Sequence, residues 1–207
     1  GTTVDHVEVY NNADDGFEWF GGTVNTKNLL AVGCADDSYD WDEGFRGMGQ
    51  FWVAVQAEDA GDRAAEMDGC ASDNRGDTEG YSQPTVFNAT YVGSGAESGN
   101  YGNMAFKFRE ETGAFYMNSI FTDFYGDVKI SSSSVSLVGV INFDDEKGSK
   151  GNLVTDHVLE GELKLESNIF YGFSNDADTP EMLVKFSSVN DTLPNDEVGR
   201  KDSVVAI

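Results

Sequence analysis

The residues of this sequence with most chemistry to offer are carboxylates set at a fixed interval. Asp14-Asp15-Gly16-Phe17-Glu18-Trp19 is answered 22 residues later by Asp36-Asp37-Ser38-Tyr39-Asp40-Trp41, and Asp42-Glu43 make the second copy the densest acidic point. A thinner third copy, Ala57-Glu58-Asp59-Ala60-Gly61-Asp62, follows at the same interval. If these segments lie on neighbouring parallel strands, equivalent side chains sit about 4.8 Å apart. That spacing predicts Asp15 over Asp37 over Asp59, and Glu18 over Asp40 over Asp62. Like charges held so close either share a proton or bind a cation. Ca²⁺ suits such a set, because it accepts many oxygen ligands in flexible geometry. The expected metal ligands are Asp15, Asp37, Asp40 and Asp42. The same Asp-Asp-Gly also reads as turn chemistry, with carboxylates capping nearby backbone N–H groups on a solvated face.

Other reactions fit less well. Paired carboxylates such as Glu18, Asp37 and Asp40 could hydrolyse a glycoside. A lyase acting on an acidic glycan would need Ca²⁺ and a base; Arg46 is the basic residue inside the dense repeat, with Arg63 and Arg75 just beyond. A salt bridge to the surrounding acids is the expected role for each of the three arginines. His6 and His157 are isolated in the chain, and neither stands in a zinc-ligand spacing. Trp19 and Trp41 read as core rungs, or, if they face outward, as platforms for a sugar ring. No phosphate-binding glycine loop of the Walker or dinucleotide type is present.

Elements of a particular kind must position these residues. Val7-x-Val9 and Phe51-x-Val53-x-Val55 alternate with period two, and the alignment of Val7–Asn25 on Leu29–Gly47 puts Trp19 on Trp41 and Gly22 on Gly44. A period near 22 residues made of short strands predicts an all-β chain, a right-handed parallel β-helix solenoid with one coil per repeat. Strand-like runs resume at Pro84–Val92, Ala105–Arg109, Phe115–Phe121, Val128–Ile130, Val135–Phe143 and Leu163–Phe170. Between them, Gly69–Pro84, Gly93–Asn103 and Asp144–Asn152 read as looped insertions, and Ser131–Ser134 as a turn or a small-residue stack. Phe87-Asn88-Ala89-Thr90, Met117-Asn118-Ser119-Ile120 and Ser167-Asn168-Ile169-Phe170 share an asparagine, which suggests an amide ladder. One domain is expected, with the β-helix over 1–173 and a polar cap or tail over 174–207.

Composition narrows the partners. Thirty-seven acidic residues against 13 basic ones leave a net charge of −24, which repels nucleic acid and anionic lipid alike. No apolar run is long enough to span a membrane. Cys34 and Cys70 could pair or stay free.

The stretch Asp14-Asp-Gly-Phe-Glu-Trp-Phe-Gly-Gly22-Thr-Val-Asn25, with Asp36-Asp-Ser-Tyr-Asp-Trp-Asp-Glu-Gly44-Phe-Arg-Gly47 and Gln50-Phe51, resembles a group of bacterial secreted or surface proteins. The similarity runs on through Asn88-x-Thr90 and Asn118-Ser119, over roughly residues 4–125. The resemblance implies a pectin-lyase-like right-handed β-helix and an extracellular or cell-surface location, but no particular reaction. The functional expectation is a non-catalytic structural or adhesive β-helix. Self-association through an uncapped N-terminal coil and contact with a glycan are its expected interactions. The alternative is a Ca²⁺-dependent polysaccharide lyase or glycoside hydrolase acting on an acidic glycan.

Overall fold

A computed structural model describes residues 1–70, 80–95, 104–125, 128–131, 134–137, 141–144, 153–173 and 184–187. Residues 71–79, 96–103 and 145–152 of the three expected insertions, and most of the expected tail, lie outside this set.

Strands dominate the described chain, and the first six alternate between two sheets. β1 (Val4–Tyr10), β3 (Thr26–Val32) and β5 (Met48–Val55) belong to the first sheet; β2 (Phe17–Phe20), β4 (Tyr39–Asp42) and β6 (Arg63–Asp68) belong to the second. The first sheet continues through β7 (Thr85–Phe87), β8 (Thr90–Val92), β10 (Ala114–Met117), β11 (Ile120–Thr122), β15 (Leu163–Glu166) and β16 (Ile169–Tyr171). β9 (Met104–Arg109), β14 (Ile141–Asp144) and β17 (Val184–Ser187) extend the second. All pairings in both sheets are parallel. β12 (Val128–Ser131) and β13 (Ser134–Leu137) form a separate antiparallel pair in which Ser131 meets Ser134.

Register follows the sequence repeat at first and then slips. Val7 pairs with Leu29, and Trp19 with Trp41, at the 22-residue interval seen between Asp15 and Asp37. One extra residue enters between β4 and β5, so Leu29 meets Trp52 and Ala31 meets Ala54. Phe51, Val53 and Val55, expected in the apolar strand positions, therefore face outward; Phe51 and Val55 are exposed while Trp52 and Ala54 are buried. Three more residues enter between β5 and β6, so Tyr39 pairs with Ala65 and Asp40 with Glu66.

The inner faces of both sheets are aromatic. Tyr39, Trp41, Trp52, Tyr91, Phe106, Phe108, Tyr116 and Phe143 are fully buried, and rings stack from strand to strand, as in Phe17 on Tyr39 at 5.6 Å and Phe108 on Phe143 at 5.4 Å. Buried polar tips find partners, as desolvation demands: Tyr39 Oη donates to Val53 O at 2.9 Å, and Trp52 Nε1 to Thr26 Oγ1 at 2.9 Å. Gly16 is required by contact, because a Cβ there would lie 2.6 Å from the Ser38 carbonyl. Cys34 and Cys70 are both free and buried.

A bend in the first sheet has its own column of residues. His6, Asn28, Phe51, Asn88, Asn118 and Ser167 all take positive φ, between 54° and 59°, at corresponding places in the register. Asparagine tolerates this left-handed region better than other chiral residues, which explains why two of the three motif asparagines sit there. Asn118 Nδ2 donates to Asn88 Oδ1, one rung of the expected ladder. Asn168 lies one residue out of phase; its amide bridges Ser119 N–H (2.8 Å) and Tyr116 O (2.9 Å) instead.

One helix was not foreseen. α1 (Val154–Glu160) is a single short segment ended by Gly161 at φ 78°. Its β-branched residues give little helical signal, and packing of Val154 and His157 against the sheet ends decides its conformation.

Candidate functional site

Strands β2, β4, β6 and β9 present their outward side chains in two columns. Register places Glu18, Asp40, Glu66 and Lys107 in one, and Phe20 beside Asp42, with Asp68 beside Arg109, in the other. Just before these strands, the loop carboxylates form a second kind of chain. Asp15 Oδ1 accepts the Asp37 N–H at 3.0 Å, and Asp37 Oδ1 accepts the Arg63 N–H at 2.7 Å. Each of these aspartates therefore caps the backbone of the next repeat.

Of the four expected ligands, three come together. Asp15, Asp37 and Asp40 each offer an oxygen within 4.8 Å of the others. Asp42 joins Asp68 and Glu110 in a neighbouring group instead. Asp59 does not stack on Asp37, nor Asp62 on Asp40, because the loop before β6 is longer than its predecessors. Glu66 takes the place beside Asp40, and Asp62 pairs with Arg63 at 2.6 Å.

Cations interleave these acids, and the sequence alone did not point to two of them. Arg63 Nη1 contacts Glu66 and stands 3.8 Å from Asp37. Lys107 Nζ reaches Glu66 at 3.1 Å; Arg109 Nε reaches Glu66 at 3.2 Å and Asp68 at 2.6 Å. The alternation of Lys107 and Arg109 along β9 was the available signal. Their partners lie 41 residues upstream, beyond the reach of any local pattern.

Burial governs the protonation of the site. Desolvation raises Asp37, with Glu66 adding to the rise and Arg63 opposing it. Burial, helped by nearby acids, likewise pushes Asp40 up to about 8 and Asp15 to about 6, with the hydrogen bond from Asp37 N–H opposing the rise of Asp15. Asp68 rises to about 6 through burial, against the pull of Arg109. Glu66 moves the other way: burial would raise it, but Arg63, Lys107 and Arg109 together hold it down. Asp40 Oδ1 is buried and has no hydrogen-bond partner among the described residues.

Three other expected participants are elsewhere. Trp41 is wholly buried, and Trp19 stacks on Trp52 at 5.1 Å, so both serve the core rather than a sugar platform. Arg46 leaves the acids and lies over the Tyr81 ring at 5.1 Å, with Nε donating to Tyr81 O. A cleft of about 320 Å³ opens on the first sheet rather than at the carboxylates, lined by residues including Asp5, Asn25, Lys27, Gln50 and Phe87.

Two parallel sheets in alternation, filled by aromatic rungs, describe a recognisable architecture, and the family comparison agrees. Residues 1–187 match the family model described as pectate-lyase like beta helix domain. The chain belongs to this family. No curated protein and no solved structure gives a significant match. In this β-helix domain the carboxylates and their cations thus occupy the outer face of the second sheet and the loops leading into it, while the core is left to aromatic side chains.

Proposed function

We propose that this chain is a non-catalytic, extracellular structural or adhesive β-helix, a right-handed solenoid with coils of about 22 residues in its N-terminal part. In this reading it binds a divalent cation, Ca²⁺ by ligand chemistry, at Asp15, Asp37 and Asp40. The observation that carries the reading is the carboxylate-to-backbone chain, in which Asp15 holds Asp37 N–H and Asp37 holds Arg63 N–H. Acids used in this way join one repeat to the next, and a cation between them strengthens that joint. The burial of Trp41 and the departure of Arg46 support it further, since a lyase groove would need both at the acids. The pectate-lyase-like family fits an extracellular setting. Val7, Tyr10 and Phe20, exposed on the edge strands β1 and β2, support self-association there.

Calorimetry of Ca²⁺ into chelator-treated protein tests the cation. Heat that disappears in Asp15→Asn plus Asp40→Asn is the expected result, and no heat at millimolar Ca²⁺ removes the site from the reading. Sedimentation tests the association; a strict monomer at high concentration counts against it. A second reading, a Ca²⁺-dependent lyase or hydrolase of an acidic glycan, is favoured by Lys107 and Arg109 on the same outward face as Asp40 and Glu66. Appearance of unsaturated products from uronic-acid polymers would select it.

A further inference from the structure

A second cluster of ligand-bearing side chains lies at the C-terminus of α1, far in sequence from the aspartate repeat. Gly161, in the left-handed region, donates its N–H to the last helical carbonyls and folds the chain back, so that Glu162 N–H donates to His157 O at 2.8 Å. That turn brings the Glu162 carboxylate onto the imidazole: Nδ1 of His157 and Oε2 of Glu162 are 2.7 Å apart. Glu160 completes a set in which one nitrogen and two carboxylate oxygens lie within 4.8 Å of one another. We propose that His157, Glu160 and Glu162 form a site for a first-row divalent transition ion, Zn²⁺ being the natural occupant, bound through His157 Nδ1 and one oxygen from each glutamate.

Several features support an ion here. The His157 side chain is only 3% exposed and its Nδ1 faces Glu162, so a ligand nitrogen is already held in place within the protein. A buried imidazole with two carboxylates is a ligand set suited to zinc, whereas Ca²⁺ prefers oxygen alone. The Glu162 carboxylate is already oriented from outside: Tyr81 Oη donates to Oε2, the arrangement by which surrounding groups hold metal ligands in place. Its backbone is fixed too, since Glu162 O accepts from Gln83 Nε2 at 3.2 Å and from Ala114 N–H at 3.1 Å.

The adjustment needed is small. Two donors about 2.1 Å from a tetrahedral ion stand about 3.4 Å apart. The 2.7 Å contact must open slightly, while the exposed Glu160 swings inward from the wider spacing. The spacing His-x-x-Glu-x-Glu carries no signal in the sequence, because it is the Gly161 turn that closes it.

The test is Co²⁺ titration of the whole chain followed by visible absorption, with Zn²⁺ competition. The expected result is a ligand-field band that saturates and is displaced by Zn²⁺. Glu160→Gln, at an exposed position that leaves the fold intact, should weaken Co²⁺ at least tenfold, and Glu162→Gln should do the same. Ca²⁺ heats should be unchanged in both variants, which separates this site from the aspartates. No band at millimolar Co²⁺, or a band of equal affinity in Glu160→Gln and Glu162→Gln, overturns the proposal.

Discussion

Replacing Asp40 by Asn gives the sharpest test of how the acidic site is balanced. Burial, together with the neighbouring Asp68, Asp15 and Glu66, pushes the Asp40 carboxyl from its ordinary value of 3.8 up to about 8. Between those two values the folded chain holds a proton that the unfolded chain has released. Stability must therefore fall as pH rises through that window, and the ionised side chain is a burden at its upper end. The part of the shift that falls between about pH 5 and about pH 8 corresponds to about 4 kcal/mol. The side chain is partly solvated, so screening reduces the expected loss to about 2 kcal/mol. Asparagine has nearly the same shape and no charge to desolvate. Urea unfolding of Asp40→Asn and the parent chain should give similar midpoints near pH 5, and near pH 8 the variant should be the more stable by about 2 kcal/mol. Millimolar Ca²⁺ should restore the parent near pH 8 and leave the variant unmoved. Parallel pH profiles for the two proteins would refute the reasoning, since they would mean that Asp40 titrates as a solvated acid.

Glu66 predicts the opposite behaviour. Glu66→Gln leaves Arg63, Lys107 and Arg109 facing one another without their shared anion, and should cost about 3 kcal/mol in urea unfolding at neutral pH. Its contribution is present above the ordinary glutamate range and is lost as acid protonates it, because the folded value is depressed. At the bend, Asn88→Val should destabilise by about 1–2 kcal/mol, since a β-branched residue resists φ 54°, while Asn88→Gly should change thermal stability little.

Much of the architecture was legible because it is local and periodic. Alternation at Val7-x-Val9 and Phe51-x-Val53-x-Val55 and the Trp19/Trp41 repeat point to parallel strands from the sequence alone. What failed was counting. The residues added before β5 and before β6 shift the later register, so Phe51 turned outward and Asp59 fell into a loop. The clustering of Asp15, Asp37 and Asp40 followed from the repeat, but the cations could not. Lys107 and Arg109 meet Glu66 and Asp68 only because β9 pairs with β6 across an intervening stretch of chain. His157 and Glu162 were hidden differently: a glycine in a left-handed turn, just past a helix with weak propensity, sets their contact.

The column of left-handed residues in the first sheet also bears on protein engineering. His6, Asn28, Phe51, Asn88, Asn118 and Ser167 hold the bend at the same height on successive strands, although the stretches of chain between them differ in length. The bend thus acts as a phase reference, and changes in length are taken up in the connections away from it. A foreign loop grafted between β5 and β6, where this chain already carries extra residues, would be displayed on the outside while the bend keeps the strands on either side in register.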